Sequence, residues 1–256
     1  MRKRTEFLAG RNSVREALIA GRRSVHKVVL GEGVREKGII LDILRLCRDR
    51  DVPVVRSERG TLDRISFNLV HQGIVAQVSV YPYADLAESM AVARQRDEAP
   101  FLLALDSLQD PQNVGSLLRT AEAVEVHGVI VPSRRSVGVT PAVSRASAGA
   151  VEHLRISRVT NLVRTLGELK SQGVWVVGVE DRAGAQDYRT VSLNMPLVLV
   201  VGSEGRGMRR LTAEKCDVLV RIPMRGRIGS LNVSVAGSIL LYEAWNARCT
   251  APGQTD

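Results

Sequence analysis

The chain has 256 residues, of which 45% are hydrophobic and 25% are charged, and its 36 Lys and Arg outnumber its 27 Asp and Glu, which gives a formal net charge of +9. These values are typical of a soluble globular protein of one or two domains and exclude a chain that is disordered throughout. The positive charge favours a polyanionic partner. Nucleic acid is favoured over a membrane, because no long apolar span and no basic amphipathic segment occur.

The three cysteines are widely spaced without a C-x-x-C pair, and the four histidines are scattered. Disulfide frameworks and zinc sites need closely spaced or paired sets of such residues. We therefore expect no metal site and a reducing, cytoplasmic location. No apolar segment follows the charged first residues, so no targeting peptide is expected.

Residues 1–80 are predicted to form a small α/β domain. The capping box Ser13-Val-Arg-Glu16 predicts the start of a helix, and Gly21 is placed to end it. A helical stripe of apolar residues between 40 and 47 indicates a second helix. Apolar or alternating segments indicate strands, the last of them half-buried. These strand segments are 28–30, 53–55 and 74–80.

Between residues 81 and 99 the apolar content falls and the charge rises. This composition is typical of a connector between domains, and a surface helix of one larger domain is the alternative. We expect the second domain to span residues 100–250 and residues 251–256 to be a flexible tail.

From residue 100 onwards, nearly continuous apolar strands alternate with helices. Such strands indicate a parallel sheet covered on both faces, whose ligand site lies in loops beyond the carboxyl ends of the strands. Those loops are therefore the candidate site. The predicted strands are 101–105, 128–131, 174–179, 197–201 and 218–222.

The first candidate loop lies in the segment 105–121 and leads into a predicted helix that Asn113 is placed to cap. Arg119 lies off the apolar stripe of this helix, and small residues next to it leave its guanidinium room to meet a ligand or another chain. A surface ion pair with Glu122 fits the same spacing equally well.

The second candidate loop is Gly202-Ser-Glu-Gly-Arg-Gly207. Its three glycines allow close backbone approach, but it matches neither the dinucleotide fingerprint nor the P-loop. Glu204 is an acid in a tight turn at a strand end, so we expect it to have a partner.

The third candidate loop ends in Ser230-Leu-Asn232 and precedes an apolar helix that begins near Val233. A helix start needs one capping side chain, so one of the two polar residues is free for another role. The helix itself is apolar nearly all round, so a sheet and a partner subunit are expected to cover it.

Basic residues crowd these loops, where they would form a cationic rim suited to RNA phosphates, with an ordinary solvated surface as the alternative. Aromatic residues make up only 4%, so base stacking on an aromatic sheet is not expected. The candidate RNA contacts are Arg11, Arg134, Arg135, Arg206 and Arg225.

Three segments, in order, resemble the motifs of the SpoU (TrmH-type) RNA ribose 2′-O-methyltransferases of the SPOUT superfamily. They are 110–119, 202–207 with Ile222-Pro-Met, and 230–236. Segments 8–18 and 71–76 resemble the L30e-like RNA-binding domain of the branch that methylates a guanosine ribose in 23S ribosomal RNA. The resemblance thus covers almost the whole chain.

The resemblance implies an N-terminal L30e-like α/β domain and a C-terminal α/β domain with a parallel sheet and a deep trefoil knot, which general topology rules argue against. It implies a homodimer whose partner residues complete the site, and S-adenosylmethionine as the cofactor. By position, the cofactor contacts are Gly202, Ile222 and Leu231. The implied catalytic residues are Asn113, Arg119, Glu204, Ser230 and Asn232.

A guanidinium is a poor base, so we expect Arg119 to stabilise the alkoxide that develops on the ribose and to grip the adjacent phosphate. Glu204 and Asn113 would orient Arg119. A tRNA ribose or a ribosomal RNA adenosine is an alternative target. A non-catalytic ribosome-assembly factor is an alternative of another class, against which the complete catalytic motifs argue.

Overall fold

The computed structural model describes residues 5–250, which divide into two compact units. The first unit contains residues 5–82 and Val139–His153, and the second contains Tyr83–Gly138 and residues 154–250. The tail predicted at residues 251–256 lies outside the described residues. The domain boundaries drawn from the sequence stay a prediction.

Eleven strands and nine α-helices occur in the described residues. The elements of the first half are β1 (Thr5–Ala9), α1 (Arg11–Ala20), β2 (Val25–Gly31), α2 (Ile39–Asp49), β3 (Val54–Ser57), α3 (Arg59–Ile65), β4 (Ile74–Ser79), α4 (Leu86–Gln95), β5 (Phe101–Asp106) and α5 (Pro111–Ala123). Those of the second half are β6 (Gly128–Pro132), α6 (Pro141–Ala146), β7 (Ile156–Val159), α7 (Leu162–Ser171), β8 (Trp175–Val179), β9 (Gln186–Asp187), β10 (Leu197–Gly202), α8 (Arg210–Lys215), β11 (Val218–Arg221) and α9 (Val233–Cys249).

The first unit is built on a four-stranded sheet in the order β1-β4-β2-β3. β4 pairs antiparallel with β1 and β2, while β3 is parallel to β2. The predicted strands and the helix over residues 40–47 are confirmed. The half-buried character predicted for residues 74–80 is wrong at its start, because α3 covers the second face and buries Val75 against Leu62.

The predicted start of the first helix is wrong. α1 begins at Arg11 after Gly10, and no side chain caps it. Ser13 lies within the helix, where its buried hydroxyl donates a hydrogen bond to the carbonyl of Ser144 at 3.2 Å. The predicted end at Gly21 is confirmed, with φ of 62° in the left-handed region.

A buried ion-pair cluster joins the start of the first unit to its late segment. The Arg23 side chain is fully buried and donates from Nε to Glu152 at 2.9 Å and from Nη1 to Glu6 at 2.8 Å. Burial raises the pKa of the Glu152 carboxyl, and the Arg23 charge opposes that rise. The segment Val139–His153 is therefore held by a charge pair that water does not reach.

Replacing Arg23 with alanine is expected to lower the free energy of unfolding of the first unit by about 3–5 kcal/mol, because Glu152 would keep a buried charge without a partner. Urea unfolding measures this change. Arg64→Ala removes an exposed arginine of the same unit and is expected to cost less than about 0.5 kcal/mol. A loss below about 1 kcal/mol for Arg23→Ala would contradict the prediction.

The second unit is built on a seven-stranded sheet in the order β7-β6-β5-β10-β8-β11-β9, and every pair in it is parallel. The predicted parallel sheet and its five strands are confirmed. The carboxyl ends of β5, β10, β8 and β11 lie side by side, so the loops that follow them share one edge. β7 was not predicted, because it is an edge strand with a polar, partly exposed sequence.

Asp110, not Asn113, caps α5. Its carboxylate accepts from the backbone N–H groups of Gln112 and Asn113, and Pro111 occupies the first helical position. The side-chain amide of Asn113 is therefore not used in capping and is free to contact other residues.

The segment 81–99 contains α4, whose Met90 belongs to the core of this second unit.

α9 packs against α5 and is fixed at its end by Arg248. The Arg248 guanidinium donates to the carbonyls of Ala99 at 2.8 Å and Met195 at 2.6 Å, and burial lowers its pKa to about 10. Val235 and Tyr242 on the opposite side are about half exposed, at 47% and 50%. This chain alone therefore does not cover α9 all round.

Candidate functional site

A cavity of about 390 Å³ opens at the carboxyl ends of β8, β10 and β11. Its volume falls within the range of small-molecule sites. It collects the residues predicted as cofactor contacts together with three other expected site residues. Those residues are Gly202, Ile222, Leu231, Glu204, Arg206 and Ser230.

The glycine-rich loop that forms one wall of this 390 Å³ cavity is tightly folded. Ser203 and Gly207 exchange two backbone hydrogen bonds of 3.0 and 2.8 Å. A Cβ atom at Gly202 would lie 2.3 Å from the backbone nitrogen of Met208, so only glycine fits there. The close backbone approach predicted from the glycines is therefore observed.

An acid that the sequence did not reveal anchors the end of this loop. Asp106 is completely buried and accepts from the backbone nitrogen of Arg209 at 2.9 Å and from its Nε at 2.7 Å. Hydrogen bonds to charged groups are worth about 1.5–3 kcal/mol. Asp106 is the last residue of β5, so the sheet itself fixes where the loop ends.

Three of the expected catalytic residues form one hydrogen-bonded chain. Asn113 Nδ2 donates to Glu204 Oε2 at 3.2 Å, and Asn232 Nδ2 donates to Asn113 Oδ1 at 2.9 Å. Asn232 also caps α9, because its Oδ1 accepts from the backbone N–H of Ser234 at 2.9 Å. The partner expected for Glu204 is thus Asn113, and all three candidate loops meet at this chain.

A second cavity, of about 500 Å³, adjoins the other side of the glycine-rich loop. Glu204 and Arg206 line both cavities, and Asn113 and Arg135 line the second one. The hydrogen-bonded chain therefore stands between a pocket suited to a small molecule and a basic pocket. Arg134 and Arg225 are exposed and line neither cavity.

Arg119 is not brought to these cavities. It follows Asn113 by six residues, which places it about 9 Å along α5 and about 120° round the helix. Its side chain is exposed, and within residues 5–250 neither Glu122 nor any other residue pairs with it. Ser116, one turn before it, lines a groove on α9 with Val235 and Tyr242. Arg119 thus lies beside the exposed face of α9.

Arg11 belongs to the first unit, where its Nε donates to the carbonyl of Gln72 at 3.2 Å. Among the described residues, no group of three His, Cys, Asp or Glu side chains is arranged to hold a metal ion. Burial raises the pKa of Cys47 to about 11 and that of Cys216 to about 12, so neither thiol is a ready nucleophile.

Two family models match the chain. The SpoU rRNA Methylase family matches residues 100–242, and the RNA 2'-O ribose methyltransferase substrate binding domain matches residues 7–84. The chain belongs to the SpoU methylase family. The match spans the parallel sheet and all three loops of the site.

Curated relatives of this SpoU methylase cover nearly its full length. A Bacillus subtilis (strain 168) protein named as a TrmH family tRNA/rRNA methyltransferase, YacO, is 44% identical over 97% of this chain and 98% of its own. A Staphylococcus aureus (strain MSSA476) protein of the same description is 43% identical, over 94% of this chain and 96% of its own.

Solved structures have the same fold. The AdoMet-bound rRNA methyltransferase of Sinorhizobium meliloti has a TM-score of 0.75 and is 28% identical, covering 95% of this chain and 87% of its own. The SpoU methyltransferase AviRb of Streptomyces viridochromogenes, in complex with AdoMet, has a TM-score of 0.78 at 23% identity, covering 96% and 92%. In this SpoU methylase, no helix among residues 5–250 is long and apolar enough to cross a membrane.

Proposed function

We propose that this protein transfers a methyl group from S-adenosylmethionine to a ribose 2′-hydroxyl of RNA, and that the target is a guanosine of 23S ribosomal RNA. The observation that carries the proposal is the chain Glu204–Asn113–Asn232, which stands between the two cavities. Membership of the SpoU family supports the reaction class, and the net charge of +9 supports an RNA partner. The proposed location is the cytoplasm.

The cofactor fits the 390 Å³ cavity. A nucleoside needs an apolar wall and close backbone contacts, which Ile222, Leu231 and the Gly202 turn would provide. Bound there, S-adenosylmethionine would supply an electrophilic methyl group on a sulfonium. No metal is part of the proposal.

The protein's own contribution to catalysis is positioning and charge stabilisation. The hydrogen bond from Asn113 fixes the carboxylate of Glu204 at the edge of the basic cavity. Ser230 would touch cofactor or ribose, since it lines the first cavity. A guanidinium is a poor general base, so we assign Arg119 to the developing alkoxide and the adjacent phosphate.

RNA would enter along the basic cavity, with Arg135 and Arg206 at its wall and Arg134 and Arg225 on nearby exposed loops. The substrate-binding match over residues 7–84 supports a second RNA contact through the first unit, where Arg11 lies. We further propose an L30e-like topology for the N-terminal domain and a trefoil knot in the domain over 100–250, with α4 of the segment 81–99 packed on this second domain. Their support is the family match and the shared fold.

Transfer of a labelled methyl group to total RNA, followed by mapping of 2′-O-methyl positions in RNA from a deletion strain, tests the proposal. We expect label in 23S ribosomal RNA at a guanosine ribose. Label in tRNA or on an adenosine would overturn the target but keep the reaction. Absence of any transfer, with RNA still bound, would favour a non-catalytic assembly factor.

We propose that the exposed face of α9 forms a homodimer interface. A groove of about 340 Å³ lies there, lined by Val235, Ile239 and Tyr242, and Trp245 is 43% exposed next to it. A contiguous apolar face of this kind marks an interaction site. A second copy is the proposed occupant, and Arg119 at its border would then reach the partner's active site.

Tyr242→Asp is expected to shift the protein from dimer to monomer at micromolar concentration, because it would bury a charge in the interface. Analytical ultracentrifugation measures the shift. Leu211→Asp introduces the same charge at an apolar side chain of α8 that is 54% exposed, and is expected to leave the dimer intact. A wild-type protein that sediments as a monomer would exclude this interface.

A further inference from the structure

One carboxylate in the 390 Å³ cavity has no role in the arrangement described so far. Glu180 directly follows β8, and its backbone nitrogen donates to the carbonyl of Val220 at 3.0 Å. Because β8 lies between β10 and β11, Glu180 stands at the floor of the cavity. Its side chain is 18% exposed.

The Glu180 carboxylate lies against the glycine-rich loop. A Cβ atom at Gly207 would lie 2.1 Å from Glu180 Oε1, so the loop passes this oxygen only because residue 207 is glycine. The other oxygen, Oε2, is shielded from solvent and accepts no hydrogen bond from the described residues. The nearest cation, Arg182 Nη1, is 3.7 Å from it, which is too far for a hydrogen bond.

A shielded carboxylate oxygen without a donor is costly, and native proteins seldom leave one unpaired. Glu180 itself lines the cavity, so a ligand bound there is the remaining source of a donor for this carboxylate. Arg182 already balances the charge of the carboxylate at 3.7 Å, without a hydrogen bond. A neutral hydroxyl is therefore a better match than a second cation.

We infer that Glu180 accepts a hydrogen bond from a ribose hydroxyl of the adenosine cofactor and thereby selects a ribonucleoside. This inference rests on the proposed function of the cavity. In dinucleotide-binding folds, an acidic residue near a glycine-rich turn accepts a hydrogen bond from the adenosine ribose. The contact inferred for Glu180 is of the same chemical kind, although the fold is different. Glu180 is thus a specificity residue for the cofactor and lies apart from the chain of Asn113, Glu204 and Asn232.

Calorimetric titration of the full-length protein with S-adenosylhomocysteine and with its 2′-deoxy and 3′-deoxy derivatives tests the inference. The wild type is expected to bind one of the deoxy derivatives roughly 10- to 100-fold more weakly than the parent compound. Glu180→Gln is expected to bind the parent more weakly and to lose most of this discrimination. Glu168→Gln, an exposed glutamate paired with Arg164, is the matched control and keeps wild-type discrimination.

Glu180→Gln keeps the side-chain shape and removes a shielded charge, so its melting temperature without ligand is expected to stay at or above that of the wild type. Equal discrimination in the wild type and in Glu180→Gln would overturn the inference alone. Equal binding of 5′-methylthioadenosine to both proteins would also overturn the inference. This compound lacks the amino-acid portion, so Glu180 would then contact the ammonium of the cofactor and not its ribose. Failure of the wild type to bind S-adenosylhomocysteine would instead remove the proposed cofactor.

Discussion

Replacing Arg119 with alanine is expected to lower kcat for methyl transfer by at least roughly 100- to 1000-fold, while the affinity for S-adenosylmethionine stays close to that of the wild type. The guanidinium lies outside the proposed cofactor cavity, so in the proposed mechanism its loss would remove a charge that acts on the ribose oxygen and not on the cofactor. Single-turnover methylation of the mapped RNA and calorimetry of the cofactor measure the two effects. Normal turnover would remove Arg119 from the mechanism.

Arg164→Ala provides the control, because Arg164 is an exposed helical arginine of the same unit, and among the described residues its guanidinium pairs with Glu168.

The position of Arg119 at the border of the α9 face allows a second experiment, which asks whether Arg119 acts in the site of its own chain or in that of its partner. Mixed dimers of Arg119→Ala and Glu204→Ala subunits are expected to regain activity, since one of their two sites would combine an intact Glu204 with an intact Arg119. No recovery would place Arg119 in the site of its own chain.

Gly202→Ala is expected to weaken binding of S-adenosylmethionine by more than roughly 100-fold. The added methyl would meet the backbone atoms of Met208 and Gly207 at 2.3 and 2.4 Å, and backbone cannot rotate away as a side chain can. The glycine-rich loop would have to shift, and it carries Glu204 and borders both cavities. Calorimetry detects the lost affinity, and RNA binding through the first unit is expected to persist.

Gly226→Ala is the matched control for this change. A Cβ atom at Gly226 would meet no atom within 4 Å, so the cofactor affinity is expected to stay at the wild-type value. Circular dichroism of both variants separates a local shift of the loop from unfolding. A folded Gly202→Ala protein with unchanged affinity would contradict the assignment of this cavity to the cofactor.

Local patterns predicted the elements whose signals are contained in a short window. The apolar runs at 101–105 and 197–201 became β5 and β10 because a strand covered on both faces must be apolar throughout. Helix starts were predicted less well. Both Ser13 and Asn113 have side chains that can cap a helix, yet the residue before α1 is Gly10, which has no capping side chain, and the residue that caps α5 is Asp110.

The groups that position the site were not visible in the sequence. Asp106 and Arg209 are 103 residues apart and pair only because β5 and β10 are neighbours. Glu180 follows an apolar strand that was predicted, but its missing hydrogen-bond partner is a property of its surroundings. The grouping of Val139–His153 with the first unit likewise involves residues far apart in the sequence, such as the buried pair of Arg23 and Glu152.

The sequence by itself determined that this protein has a parallel sheet, that three loops carry its polar residues, and that those loops resemble SpoU motifs. Periodicity suffices for the sheet, because burial on one or two faces leaves a pattern along the chain, whereas the resemblance depends on the motif residues themselves. Only the tertiary structure decided that Glu204, Asn113 and Asn232 form one hydrogen-bonded chain while Arg119 lies apart from it. Contacts between residues about a hundred positions apart depend on strand order, which local spacing does not encode.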